Sequence, residues 1–200
     1  MRDFVNSARA SQFRTTRSYG EDCKVLLDEE HRWFTVTRAR DLADANPDIL
    51  DYTALTGCRV DIDESRTEQK REGPDGKEVS YNPPRYEYSY DFYITIFVNN
   101  PYFDEMRFQL TSSSVDITPP PALRPGMAGG YNPETNVEYR SCKRLGEEIR
   151  QALTQVRRDV REKIEQAAAP KTAVTCPYCG ATTTPDASGC CEYCGGAIGG

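Results

Sequence analysis

The sequence predicts an α+β protein: an antiparallel β sandwich or split barrel covered by one long C-terminal helix, followed by a small Cys-rich module. Three observations predict it. Strand-like alternation dominates residues 24–110, an apolar stripe at helical spacing runs through 142–167, and five of the eight cysteines lie in the last 25 residues. Strands followed by one amphipathic helix favour a sheet whose open face the helix covers. At 200 residues and 38% hydrophobic content, the chain has material for one cored domain and an appendage.

Residues 1–20 hold four Arg against one Asp and little apolar periodicity, and are expected to form a loosely ordered lead-in rather than a transit peptide. The β-rich domain is placed at 21–169. Lys24–Leu27, the polar turn Asp28–His31 and Arg32–Val36 predict a hairpin. Residues 37–56 form a polar connection in which Asn46-Pro47-Asp48 can cap one helical turn. Cys58, Val60 and Ile62 alternate with Arg59, Asp61 and Asp63, which predicts a strand. Gly73-Pro74-Asp75-Gly76 is a turn signal. After it Tyr86, Tyr88, Tyr90, Phe92, Ile94, Ile96 and Val98 share one face of a long strand, expected to bend and serve two sheets or a barrel corner. Met106, Phe108 and Leu110 alternate in the next strand.

Residues 118–131 read as a Pro/Gly loop. Cys142, Leu145, Ile149, Leu153, Val156, Val160, Ile164 and Ala167 then recur every three or four residues, the stripe of an amphipathic helix. Asn132-Pro133 or Ser141 is expected to cap its start, and Pro170 to end it. Arg158–Glu162 is one of its i,i+4 pairs. Hairpin, meander and C-terminal helix follow the element order of a pleckstrin-homology-type split barrel.

Charge excludes some functions. The net charge is -6, and residues 21–122 carry 21 acidic against 11 basic side chains, so bulk electrostatics do not attract nucleic acid. No stretch approaches the roughly 18 apolar residues of a spanning helix, so no membrane span is expected. With no export signal in these residues, the thiols are expected in the reducing cytoplasm, with Cys23, Cys58 and Cys142 as small buried hydrophobes.

Residues 170–200 carry the one strong chemical motif. Cys176-Pro177-Tyr178-Cys179-Gly180 and Cys191-Glu192-Tyr193-Cys194-Gly195 are two copies of one knuckle. Two residues between cysteines let a tight turn aim both sulfurs at one ion, and the following Gly accepts the conformation that directs N–H groups toward them. Eleven residues separate Cys179 from Cys191, room for a short hairpin that sets the knuckles opposite each other. The expected ligands of one structural Zn²⁺ are Cys176, Cys179, Cys191 and Cys194, a zinc ribbon. A redox dithiol also uses C-x-x-C, but no strand feeds a helix at either motif. Cys190 lacks the spacing to Cys194 and is expected to be a spare thiol rather than an exchanging ligand.

Other groups invite weaker readings. Asp61, Asp63, Glu64 and Asp91 fit a solvated strand face, with no EF-hand spacing to support a cation. His31, the only histidine, is expected at the surface of a turn, with no nucleophile or metal partner. The Gly126–Gly130 segment lacks the Lys-Ser/Thr of a phosphate loop. Tyr86, Tyr88 and Tyr90 can stack bases, but they sit in the acidic part of the chain and suit cross-strand packing.

The segments 51–63 (DYTALTGCRVDID) and 76–105 (GKEVSYNPPRYEYSYDFYITIFVNNPYFDE) resemble an uncharacterised bacterial family described as a domain of unknown function. Tyr81–Tyr86 and Asn99–Glu105 carry the resemblance most specifically, and it spans residues 12–165. Relatives there often carry an N-terminal Cys-rich finger. Here the Cys-rich segment is C-terminal instead. The family implies no reaction and no catalytic residue.

No hydrolase, zincin or dinucleotide fingerprint appears. The sequence therefore predicts no catalytic residue, no bound cofactor other than zinc, and a non-enzymatic cytoplasmic protein-interaction module whose partner is a protein. The alternative is a nucleic-acid- or transcription-associated ribbon protein, for which Arg144, Arg150, Arg157, Arg158 and Arg161 offer the only basic surface. If 167–172 is a linker, residues 1–170 alone should melt cooperatively within a few degrees of the full chain, as followed by circular dichroism.

Overall fold

The computed structural model describes residues 2–120, 131–168, 173–186 and 188–198. The chain divides into two compact units, Met1–Val160 and Arg161–Gly200. The sequence puts its domain boundary at residue 170, whereas the division between these units falls within the long helix Val137–Ala168. Residues 121–130 of the expected loop and 169–172 of the expected linker lie outside the described residues.

The first unit is mixed α+β with antiparallel sheets. The lead-in is not loose. It forms helix α1 (Arg2–Gln12) and strand β1 (Arg17–Tyr19), which pairs with β2 (Lys24–Asp28). The physical reason lies in its contacts: β1 takes up an edge of β2, and α1 packs against residues 42–45 and 49–51. Ala10 is buried, and the Arg9 guanidinium donates to the Ile49 carbonyl at 3.0 Å. The expected hairpin joins β2 to β3 (Trp33–Thr37), in register from Lys24↔Thr37 to Asp28↔Trp33. The polar connection carries more than one turn of helix. It forms α2 (Leu42–Ala45), ahead of Pro47, then β4 (Ile49–Asp51), which completes a sheet of order β1-β2-β3-β4.

The second sheet is built on two long strands, β5 (Leu55–Glu72) and β6 (Glu78–Asn100), joined at the Gly73–Gly76 turn. Gly76 has φ +74°, which a residue without Cβ adopts freely. β7 (Phe103–Gln109) and β8 (Val115–Ile117) lie end to end along one edge of β6, at Tyr93–Asn100 and Tyr88–Tyr90 respectively. β5 takes the other edge. The turnward halves of β5 and β6 therefore form a two-stranded arm. Within it residues 81–84 bulge out of β6, because Gln69 pairs with Arg85 and the next residue, Lys70, pairs with Ser80.

Helix α3 (Val137–Ala168) closes this core. Asn136 caps it, its side-chain oxygen accepting from the Tyr139 N–H at 2.9 Å. The expected Asn132-Pro133 cap instead starts a 3₁₀ turn, Pro133–Thr135. The buried face of α3 ends at Val160, with Ile164 and Ala167 exposed, so the inward stripe is shorter than the apolar periodicity suggests. Its ion pairs are Arg144–Glu148, Arg150–Glu147 and Arg161–Glu165. Gly146 fixes how closely the helix approaches. A Cβ there would lie 3.0 Å from Val60 Cγ1 and 3.2 Å from Leu110 Cδ1. One apolar cluster joins Val25, Leu27 and Phe34 of the first sheet to Phe92, Ile94 and Ile96 of the second and to Ile149 and Leu153 of the helix.

Two substitutions test this packing. Leu153 is 1% exposed. Leu153→Asp buries an unpaired carboxylate and should cost about 3 kcal/mol or more in urea unfolding, with the helix lost from the sheet. Gly146→Leu overpacks the helix–sheet contact and should cost about 1–3 kcal/mol by the same measurement.

Candidate metal centre

The second unit has almost no apolar core to fold around. Its described strands are the two-residue pair β9 (Val174–Thr175) and β10 (Thr182–Thr183), in register Thr182↔Thr175 and Thr183↔Val174. This hairpin flanks the first knuckle. It does not lie between the knuckles, where the eleven-residue spacing suggested one. The second knuckle is flanked in the same way by the isolated bridge Cys190↔Ala197.

The two knuckles repeat one hydrogen-bond pattern. Cys176 N–H donates to the Ala181 carbonyl and Gly180 N–H to the Cys176 carbonyl, at 2.8 and 2.9 Å. Cys191 N–H donates to the Gly196 carbonyl and Gly195 N–H to the Cys191 carbonyl, both at 2.8 Å. Gly180 and Gly195 adopt φ +73° and +70°, the left-handed turn that the C-x-x-C-G pattern requires. Between the knuckles, Asp186 Oδ1 accepts from the N–H groups of Ser188 and Cys190, which shapes the connecting turn.

This symmetry brings the four predicted sulfurs together. Cys176, Cys179, Cys191 and Cys194 place their Sγ atoms within 4.8 Å of one another. Across the knuckles, Cys176–Cys194 and Cys179–Cys191 are 3.5 and 3.7 Å apart. A tetrahedron with bonds of about 2.3 Å has sulfur–sulfur edges of roughly 3.8 Å. A disulfide needs about 2.05 Å. The spacing is therefore that of a shared ion, and the soft, tetrahedral donor set suits a metal such as zinc. First-knuckle Cys176 and second-knuckle Cys191 are buried, while Cys179 and Cys194 are exposed. The first cysteine of each knuckle is thus more buried than the second, while all four sulfurs converge.

The thiols are not equivalent. Burial pushes Cys176 up, but the Cys179 and Tyr178 N–H groups and the neighbouring thiols outweigh it and hold it at about 7. The Gly196 N–H pulls Cys194 down, but the Cys176 and Cys179 sulfurs push harder, to about 12. Four sulfurs this close shed all their protons only when a cation takes up the charge. Cys190 stands outside the group, its Sγ facing the Ser188 carbonyl at 3.8 Å.

The remaining candidates fall elsewhere. Asp61 accepts from Arg59 and Thr95, Asp63 pairs with Arg107, and Asp91 accepts from Gln109 and Ser114, so these carboxylates are spent on the sheet's own partners. Tyr90 is buried edge-on to Tyr139, Tyr88 stacks on Tyr131 at 4.5 Å, and Tyr86 lies beneath Arg66. Burial raises the thiols of Cys23 and Cys142, and that of Cys58 to about 12, as expected of packing residues. Gly126–Gly130 lies outside the described residues.

His31 lies in the turn as expected, but half-buried rather than at the surface. Its Nδ1 lies 2.8 Å from Asp28 Oδ2, and its ring stacks on Trp33 at 4.8 Å. Asp28 closes the turn, its side chain buried, accepting also from the N–H groups of Arg14 and His31 at 2.7 and 2.9 Å. The readable signal was an Asp opening a four-residue turn that ends in His. Burial alone would raise the Asp28 carboxyl, but these three hydrogen bonds outweigh it and lower it.

No family model, no curated protein and no solved structure matches this chain.

Two measurements check these sites. Desalted protein should carry one equivalent of metal per chain, abolished by Cys176→Ser and retained by Cys190→Ser, as read by elemental analysis. A lowered Asp28 stabilises the fold above the unfolded carboxyl value of about 3.9, and this stability is lost as pH falls through the lower folded value. Unfolding free energy of the parent should therefore drop across that acid window more steeply than that of Asp28→Asn.

Proposed function

We propose that this chain is a non-enzymatic cytoplasmic protein-interaction module whose C-terminal ribbon is stapled by one structural Zn²⁺. One observation carries the reading. Four thiolates fill a tetrahedral shell and leave no position for a substrate, while the same knuckles hold Tyr178 and Tyr193 out at 72% and 71% exposure. Each Tyr precedes the second Cys of its knuckle, so the metal that folds the module also fixes both rings. Tyr gives large, rigid contact area at small entropic cost, which suits a protein partner. The Tyr178 ring rests on Gly196, where a Cβ would come within 2.5 Å, so its pose is set by the second knuckle.

Charge supports a protein rather than a nucleic acid. Residues 170–200 contain one Lys and no Arg, and a Zn²⁺–tetrathiolate adds about -2. On α3, Arg144, Arg150 and Arg161 are engaged by glutamates. The free state of Cys23, Cys58 and Cys142 fits a reducing compartment. No helix among the described residues is long and apolar enough to cross a membrane.

We read the first unit as a split barrel of pleckstrin-homology type, supported by two four-stranded antiparallel sheets and a C-terminal helix. The resemblance to a bacterial domain of unknown function rests on Tyr81–Tyr86, which spans the bulge of the arm, and on Asn99–Glu105, at the β6–β7 turn.

Affinity capture of the tagged chain from its own cytoplasm, with protein and nucleic acid both assayed, tests the reading. The expected result is a discrete protein partner, little nucleic acid, and at least a tenfold loss of that partner on Tyr178→Ala/Tyr193→Ala with zinc content unchanged. Nucleic acid as the main captured species, with arginine substitutions on α3 releasing it, would favour the alternative.

A further inference from the structure

β5 presents an edge of unusual length. Its eighteen residues pair on one side only, and among the described residues no strand meets the other side. Side chains 63–67 and 70–72 are exposed. Natural edges are commonly blunted by shortness, Pro or bulges. β5 is long, contains no Pro, and runs without interruption from Gly57 to Glu72, since the bulge at 81–84 belongs to its neighbour. It does carry charge, and the order of that charge is informative.

We propose that the outer edge of β5 is a self-docking surface, on which a second copy of this chain pairs antiparallel about a two-fold axis through Thr67. The argument is one of register. Residues directly opposite each other in a sheet share a face. A two-fold axis perpendicular to the sheet keeps each side chain on its own face, so it must pass through a residue and never between two. Few centres are then available along the exposed stretch. Centred on Ser65, the pairing sets Arg59 against Arg71; on Arg66, it sets Glu64 against Glu68 and Arg66 against itself. On Glu68, it sets Glu64 against Glu72 and Arg66 against Lys70. On Gln69, Arg66–Glu72 and Glu68–Lys70 are opposite in sign, but only residues 66–72 of β5 overlap, and two kinds of charged pair form where the Thr67 centre forms three over residues 62–72.

Centred on Thr67, every charged pair is of opposite sign. Arg66 meets Glu68 of the second copy, Glu64 meets Lys70, and Asp63 meets Arg71, each made twice by the symmetry. Thr67 meets its own counterpart, and Ser65 meets Gln69. Opposite charges directly across a strand pair stabilise it and like charges destabilise it, so this pattern both favours self-pairing and fixes its register. It is the self-complementarity that an isologous interface requires. The intrachain contacts of these groups do not compete strongly. Asp63–Arg107 and Lys70–Glu78 are exposed pairs at 2.8 and 3.7 Å, and such pairs contribute little. The main-chain N–H and C=O groups along this edge supply the attraction, as in other strand additions. The pairing holds whichever partner the ribbon takes.

Sedimentation velocity of the full chain tests this. A dimer is expected that weakens as salt rises. Arg66→Glu opposes Glu68 twice and should raise the dimer dissociation constant at least tenfold; Glu68→Arg should do the same. Arg66→Glu together with Glu68→Arg restores opposite signs in the same register and should restore the dimer. Under oxidation Thr67→Cys should form a disulfide between the substituted positions of the two copies, identified by peptide mass, with unchanged circular dichroism. A parent that sediments as a monomer at every concentration and salt overturns the proposal. So does a dimer indifferent to either single reversal, or a double variant that stays monomeric while folded.

Discussion

The first unit depends on strand β6. It is the only strand of its sheet paired on both edges, with β5 on one side and β7 and β8 in succession on the other. Its alternate residues Phe92, Ile94, Ile96 and Val98 form the floor onto which α3 packs. Because side chains alternate strictly, a one-residue slip of β6 would turn this floor to the outer face and bury Tyr93 and Asp91 in its place. The register of three other strands and the seat of the helix are thus fixed by one period-two pattern. Gly146 adds a close tolerance at the helix, letting its backbone come down onto Val60 and Leu110.

That dependence explains what was legible. The β6 alternation, the hairpin at 24–36, the turn at 73–76 and the long helix all rest on local periodicity or turn chemistry, and each is present in the structure. Features set by distant contacts were not legible. Nothing periodic marks β1 or β8, each of three residues, because each is defined by the strand that accepts it. Helix α1 is polar overall. What holds it is contact with α2 and β4, some forty residues away in sequence. The apolar stripe of α3 overran its burial for the opposite reason. Periodicity records which face is apolar and not where the surface beneath it ends.

The cluster of four cysteines was legible to the residue because its chemistry is local at each knuckle. C-x-x-C-G specifies a turn, two sulfurs and a left-handed Gly, and two such turns meeting head to head leave little freedom. What the spacing did not reveal was where the strands lie. The paired segments bracket each knuckle, since the N–H to carbonyl bonds of Cys176 and Cys191 must close the turn that contains them. The two units accordingly hold their shape by different physics. One buries Phe, Ile and Leu among three layers; the other gathers four sulfurs.

The arm of β5 and β6 is where these principles leave an open question of energy. A two-stranded ribbon is marginal in water unless something else supports it. Some support is internal, from Arg66 over Tyr86 and from Arg71 and Arg85 around Tyr81. Each such exposed cation–π contact supplies about 0.5–1 kcal/mol. The main-chain groups on the outer edge of β5 gain nothing from these contacts, because side chains above and below a sheet do not satisfy donors in its plane. Water or another strand must do so. A charge order that gives a strand of the same sequence its longest fully opposed pairing in one register, and sets like charges against each other in the two adjacent registers, favours the strand. It protects the edge from indiscriminate pairing while leaving a single complementary partner, and the arm is then supported from the side on which the fold itself provides nothing.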